Sequence, residues 1–206
     1  MSTLKLKVCG MRNPENIQDV LKVGPDFIGF IFYAASSRYA ADLDEGLLLQ
    51  IPENIHKVGV FVNETIDQVC TLVVKFKLDY VQLHGDEDVA YVEALRSEGV
   101  KVIKVFRVLD QLPDGIQDFE GLVDFILFDT STATYGGSGK QFDWDILKQV
   151  ELSVPFLLSG GICLEDLNRI KSLEIPMLYG IDVNSRFELE PGLKDVERVR
   201  ELKMQL

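Results

Sequence analysis

Eight short apolar runs alternating with eight helix-length stretches in 206 residues predict a single (βα)8 barrel with eight parallel strands. Two further observations favour it. With 47% apolar residues the chain has enough for one substantial core. Polar and glycine residues also gather at one end of the apolar runs, where such a barrel keeps its active site. Barrels of this type usually take about 250 residues, so short loops and one catalytic domain over residues 1–206 are expected.

The strand runs are Leu4–Cys9, Asp26–Phe32, Lys57–Val62, Tyr80–Leu83, Val102–Phe106, Phe125–Asp129, Pro155–Leu158 and Met177–Val183. Most are nearly continuous in Val, Ile, Leu and Phe, as parallel strands covered on both faces require. Between them, Pro14–Leu21, Thr65–Phe76, Asp88–Arg96, Trp144–Val150, Leu164–Lys171 and Leu193–Leu202 carry apolar residues at helical spacing. Asn13-Pro14 and Asn63-Glu64-Thr65 have the capping residues of helix starts. The second helix, about Leu43–Ile51, is weaker. The fifth, within Gln111–Leu122, is broken by Pro113 and Gly115. An open doubly wound sheet competes, but it calls for a glycine fingerprint that Cys9-Gly10-Met11-Arg12 lacks.

Composition limits the partners. A net charge of −12, from 33 acidic against 21 basic residues, makes nucleic acid or an anionic membrane a poor partner. An anionic small molecule remains possible where positive potential is local. Three cysteines at unrelated spacings make neither a disulfide framework nor a CxxC metal site. The start of the chain lacks a signal-peptide pattern, and no apolar run reaches the roughly 20 residues of a membrane span. A cytoplasmic enzyme is expected.

The strand ends supply the candidate site. Ser159-Gly160-Gly161 after strand 7 and Asp182-Val183-Asn184-Ser185 after strand 8 occupy the usual phosphate position of such barrels. A Gly-Gly pair also serves plain turns. Gly136-Gly137-Ser138-Gly139-Lys140 is not a P-loop, and reads as a substrate-facing loop or a solvent loop. Cys9 ends a strand before a glycine turn, with Lys7 on the same strand face to favour its ionisation. Cys163 is its rival, while Cys70 reads as a packed hydrophobe.

Asp129 ends the apolar run Phe125–Phe128, where desolvation suits a carboxyl to general-acid work. The alternative is a loop-anchoring aspartate, which is also the better reading of Asp182, as holder of the phosphate loop. His84 stands at the active end, placed to hydrogen-bond substrate, and His56 at the opposite end reads as a surface residue. With two histidines a metal site is not expected. Arg38 is a loop charge by default and a bidentate anion ligand by position.

Lys7–Met11, Val81–Glu87, Asp129-Thr130 with Gly136–Trp144, and Leu158–Ile162 together resemble the phosphoribosylanthranilate isomerase family of tryptophan biosynthesis. The match runs in order from Lys7 to Asp195. The resemblance implies a cofactor-free Amadori rearrangement of N-(5′-phosphoribosyl)anthranilate, with Cys9 as general base and Asp129 as general acid. It implies that Arg38 meets the anthranilate carboxylate and that Gly160, Gly161, Asn184 and Ser185 form the phosphate loops. The bound partner is then a phosphorylated small molecule, and the protein a monomer or homodimer. One departure stands out: Asn184-Ser185-Arg186-Phe187-Glu188 replaces the Ser-Ser-Gly-Val-Glu common in the family, and losing the glycine restricts the backbone.

Among other enzymes, a ribulose-phosphate epimerase would need more histidines, and triose-phosphate isomerase a glutamate where Asp129 stands. Indoleglycerol-phosphate synthase shares the phosphate loops but uses further Lys and Glu residues. A non-catalytic phosphometabolite-binding barrel is the reading from a different class.

Overall fold

The computed structural model describes residues 4–130 and 141–206. Eight parallel strands close into a barrel in chain order: β1 Lys5–Val8, β2 Phe27–Ile31, β3 His56–Phe61, β4 Tyr80–Leu83, β5 Val102–Val108, β6 Phe125–Thr130, β7 Phe156–Leu158 and β8 Leu178–Val183. Closure is made by β1 on β8, with Lys7 opposite Asp182 and Val8 opposite Val183. The predicted runs are therefore the strands of the barrel, to within a residue or two at most ends.

Two-residue alternation divides β2 to β7 between two apolar groups. Leu6, Val8, Ile28, Phe30, Val81, Leu83, Ile126, Phe128, Phe156 and Leu158 join the larger core with the helices. Phe27, Val58, Tyr80, Ile103, Val105, Phe125, Leu127 and Leu157 form a second cluster, which fills the barrel interior. Next to β1 and β8 that interior turns polar, because Lys7 and Asp182 are buried there, and Gln82 of β4 is buried as well. His56 is not a simple surface residue. It opens β3, half-buried, with its ring 5.2 Å from that of Phe27 and 5.5 Å from that of Tyr80.

The helices are α1 Pro14–Val23, α2 Glu45–Leu49, α3 Ile66–Phe76, α4 Val89–Ser97, α5 Leu167–Ser172 and α6 Val196–Gln205. Asn13 caps α1 through the N–H of Asn16, and Thr65 caps α3 through that of Gln68. Two predicted helices are 3-10 segments instead. Ile116–Phe119 fills the fifth slot, where Pro113 and Gly115 leave too few residues for α-helix. Trp144–Gln149 fills the sixth.

The last predicted helix is corrected as well. Leu193-Lys194 is not helical but pairs antiparallel with Glu188–Glu190, as strands β10 and β9, and α6 begins only after the Asp195 cap. The apolar spacing of Leu193 matched a helix, but Gly192, with φ of 87°, turns the chain into a ribbon.

Candidate active site

Strand order and alternation bring the predicted residues to the C-terminal mouth of the barrel. Cys9 follows β1, is 4% exposed, and donates its backbone N–H to the carbonyl of Val183 at 2.9 Å. One layer beneath it, Lys7 is fully buried and its Nζ donates to Asp182 Oδ1 at 2.9 Å. The charge of the same ammonium acts on the Cys9 thiol. Asp182 therefore anchors a buried lysine rather than the phosphate loop, which corrects the reading from sequence.

These neighbours set the electrostatics. Burial works against the Lys7 ammonium, yet Asp182 and Cys9 raise its pKa above the ordinary lysine value and keep it charged. Burial pushes the Cys9 thiol up, Lys7 and Lys194 pull it down, Asp182 adds to the rise, and the net direction is up. Lysine thus opposes a desolvation cost without cancelling it. Cys163 is placed among carboxylates instead. Burial, Asp166 and Glu165 push it up to about 12, and its Sγ lies 3.0 Å from Asp166 Oδ2.

Across the mouth, Asp129 ends the interior face of β6, paired in register with Arg107 of β5. Its Oδ1 accepts the N–H of Thr130 at 2.8 Å, and its Oδ2 lies 3.3 Å from His84 Nε2. Both side chains stay partly exposed, so solvent and ligand can reach them. Asp182 feels the charges of Asp129 and His84 as well as that of Lys7, which puts the two sides of the mouth in one field.

Arg38 is not a free loop charge. Its Nε and Nη2 donate side-on to the Glu188 carboxylate at 2.6–3.1 Å, and the two side chains are 14% and 4% exposed. Lys194, almost fully buried, donates to Glu188 Oε1 and to Asn184 Oδ1, both at 2.6 Å. Arg38 and Asn184 close over Gly10, where a Cβ would fall 2.7 Å from each, at a φ of 75°.

The glycine loops lie beside this rim. Gly160 has φ of 93° and sits so close to β6 that a Cβ would meet Thr130 Oγ1 at 2.2 Å. Gly161 follows, also at positive φ, and Ser185 opens the 3-10 turn Ser185–Phe187. Asp166 already takes the Cys163 N–H at 2.8 Å. Arg186 is exposed. Gly137 and Gly139 lie outside the described residues.

Two charged networks escaped the sequence reading. Glu87 accepts from the N–H groups of Asn63 and Gly85 and from Lys104 Nζ at 2.9 Å, so it ties the loops after β3 and β4 to β5. A lone lysine inside the apolar run Val102–Phe106 was the available signal. Lys194 with Glu188 is the other. Its signal was weaker, because both residues lay in a stretch that read as loop and helix.

Among the described residues no cluster of His, Cys, Asp or Glu has the form of a metal site, and no helix is long and apolar enough to cross a membrane. The closed barrel, with a thiol, a carboxyl–imidazole pair and a rim of buried cations at the C-terminal mouth, defines a (βα)8-barrel enzyme.

The family described as N-(5′-phosphoribosyl)anthranilate (PRA) isomerase matches residues 6–205. A relative of that name from Parabacteroides distasonis is 42% identical over 204 residues, covering 98% of this chain and 92% of its own. The phosphoribosyl anthranilate isomerase crystal structure from Thermus thermophilus superposes with a TM-score of 0.85, at 25% identity and 98% coverage of both chains. A second solved isomerase, in complex with reduced 1-(o-carboxyphenylamino)-1-deoxyribulose 5-phosphate, has a TM-score of 0.76, 26% identity and 98% coverage of both chains. The chain belongs to the N-(5′-phosphoribosyl)anthranilate isomerase family, and is an isomerase of tryptophan biosynthesis.

Proposed function

We propose that this chain, as one cytoplasmic catalytic domain, isomerises N-(5′-phosphoribosyl)anthranilate by general acid–base catalysis without a cofactor. Asp129 gives a proton to the furanose ring oxygen as the C1′–O bond breaks. The anthranilate nitrogen lone pair then forms an iminium, which takes the place of a metal or cofactor as electron sink. The Cys9 thiolate removes the C2′ proton, and the enolamine tautomerises to the 1-deoxyribulose ketone. One group must begin protonated and the other deprotonated, which calls for contrasting surroundings.

The observation that carries this reading is the placement of Lys7, paired with Asp182 one layer beneath Cys9, where its charge acts on the thiol. A cation fixed under the thiol favours its thiolate form, and the carboxyl assigned as acid stands across the mouth beside His84. Arg38 has its Nε/Nη2 edge on Glu188, and the end-on Nη1/Nη2 edge is the one suited to the anthranilate carboxylate. Gly160, Gly161, Asn184 and Ser185 are assigned to the phosphate, and His84 to a contact with substrate besides its contact with Asp129. The solved isomerase bound to the reduced product supports the same class of ligand. All of these groups come from one chain, so the site is complete in a monomer and in a homodimer alike.

The test is turnover of freshly generated substrate, followed by loss of anthranilate fluorescence with a chelator present. Cys9→Ser and Asp129→Asn should fall by at least ~100-fold while Cys163→Ser keeps wild-type activity. Inactive wild type, or loss only in the Cys163 variant, overturns the assignment.

A further inference from the structure

The ribbon β9–β10 carries a charge device whose lysine has no role in the reaction as proposed above. Lys194 is 1% exposed, which is rare for a lysine unless its ammonium is paired. Its Nζ holds Glu188 Oε1 and Asn184 Oδ1 at 2.6 Å each. Glu188 is fixed from three sides, by Lys194, by the N–H of Gly192 at 3.0 Å and by two nitrogens of Arg38. The second partner of Lys194, Asn184, packs with Arg38 over Gly10.

We propose that Lys194 is a positioning residue for the isomerase reaction: it locks Glu188 and Asn184 so that the guanidinium of Arg38 is held in one orientation over Gly10, ready for the aryl carboxylate of the substrate. The proposal rests on the reading that Arg38 meets that carboxylate. Charge supports it. Two cations, Arg38 and Lys194, share one carboxylate, so the rim keeps a positive surplus inside an acidic chain. Burial opposes the Lys194 ammonium, and Glu188 opposes that effect in turn. The field of Lys194 also reaches Cys9, so the same ammonium links the carboxylate end of the site to the thiol end.

A structural reason alone does not account for the arrangement. The backbone of Lys194 is already fastened by Asn16, which accepts its N–H at 2.7 Å and donates Nδ2 to its carbonyl at 2.9 Å. The ribbon therefore keeps its attachment to α1 when the side chain is changed.

The experiment compares inhibition by two stable ligands, reduced 1-(o-carboxyphenylamino)-1-deoxyribulose 5-phosphate and its counterpart lacking the ring carboxylate. Wild type should prefer the first, and Arg38→Ala should erase the preference. Lys194→Met should weaken the carboxylate-bearing inhibitor about 10-fold or more beyond the other, which loses only what Asn184 gives the shared phosphate, with partial recovery in Lys194→Arg. Glu188→Gln should show the same split and serves as the second variant if Lys194→Met does not fold. Equal weakening of both inhibitors, or a preserved preference in both variants, overturns the positioning role while leaving Arg38 in place. A wild type that does not distinguish the inhibitors overturns the Arg38 reading and this proposal with it.

Discussion

Lys7 Nζ lies 2.9 Å from Asp182 Oδ1 with both side chains in the barrel interior, one layer beneath Cys9, whose thiol feels the charge of the same ammonium. Surface ion pairs contribute about 0–1 kcal/mol, whereas removing one partner of a buried pair costs about 3–5 kcal/mol. The pair therefore bears on stability as well as on the thiol. Lys7→Met should lower the thermal midpoint, and Lys7→Met/Asp182→Leu should recover most of that loss without recovering turnover. Recovery of activity along with stability would show that the ammonium serves the fold alone.

The direction of the Cys9 shift gives a pH prediction. The thiolate is the active form and burial outweighs the lysines, so kcat/KM should climb with pH through a limb above the ordinary thiol range. Lys7 is one of the groups that pull the thiol down, so Lys7→Met should move this limb further up. A pH–rate profile of the two proteins decides it. A limb that stays still, or moves down, removes Lys7 from control of Cys9.

His84 and Asp129 are coupled through their 3.3 Å contact, which a double-mutant cycle can read. His84→Ala should reduce kcat/KM about 10-fold in the native background. In the Asp129→Asn background the same change should cost clearly less, only what the contact of His84 with substrate carries, because the carboxyl that the imidazole orients is gone. Independent, multiplying losses would mean that His84 acts on the substrate directly and not through Asp129.

The barrel was legible because its parallel strands are covered on both faces, which writes them as unbroken apolar runs. Cys9, Asp129 and His84 were legible for a related reason, since a polar residue ending such a run stands out. Alternation even placed Lys7 under Cys9. The ribbon Glu188–Lys194 was not legible, because Leu193 fell at a helical interval and only Gly192 argued otherwise. Partnerships between distant residues were invisible in principle. Nothing local says that Glu188 will meet Arg38 across 150 positions, or that Asp182 will turn inward to a lysine 175 positions away. Ion pairs of this kind exist only once the barrel has closed.

Glu87 supplies a test of loop anchoring separate from chemistry. It is buried with Lys104, and also accepts from the backbones of the loops after β3 and β4. Glu87→Ala should cost about 3–5 kcal/mol, because it leaves the Lys104 ammonium buried without its carboxylate. For a chain of this size that is a fall of roughly 6–20 °C in thermal midpoint. Replacing both partners by apolar residues should recover part of the stability. A midpoint within a degree or two of wild type for Glu87→Ala would mean that water reaches Lys104 and that the loops do not depend on this carboxylate.

Asp26 makes the clearest case for a pH-dependent contribution to stability. It joins three elements, accepting from Lys5 of β1 and Lys203 of α6 at 2.8 Å and from the Leu6 N–H at 2.9 Å. Burial works the other way, but the Leu6 N–H and the two lysines hold its carboxyl below the ordinary value. A lowered folded-state pKa contributes stability that is complete above the unfolded value of about 3.9, and is lost as pH falls through the folded one. At neutral pH, Asp26→Asn should therefore cost about 1–2 kcal/mol, a figure kept small because both lysines are partly exposed. Below the ordinary aspartate range the wild type becomes protonated too, and the two proteins should converge. Urea midpoints at neutral and acidic pH measure the gap directly. A gap that holds constant into acid would assign the cost to lost shape or packing at this seam rather than to the carboxylate charge.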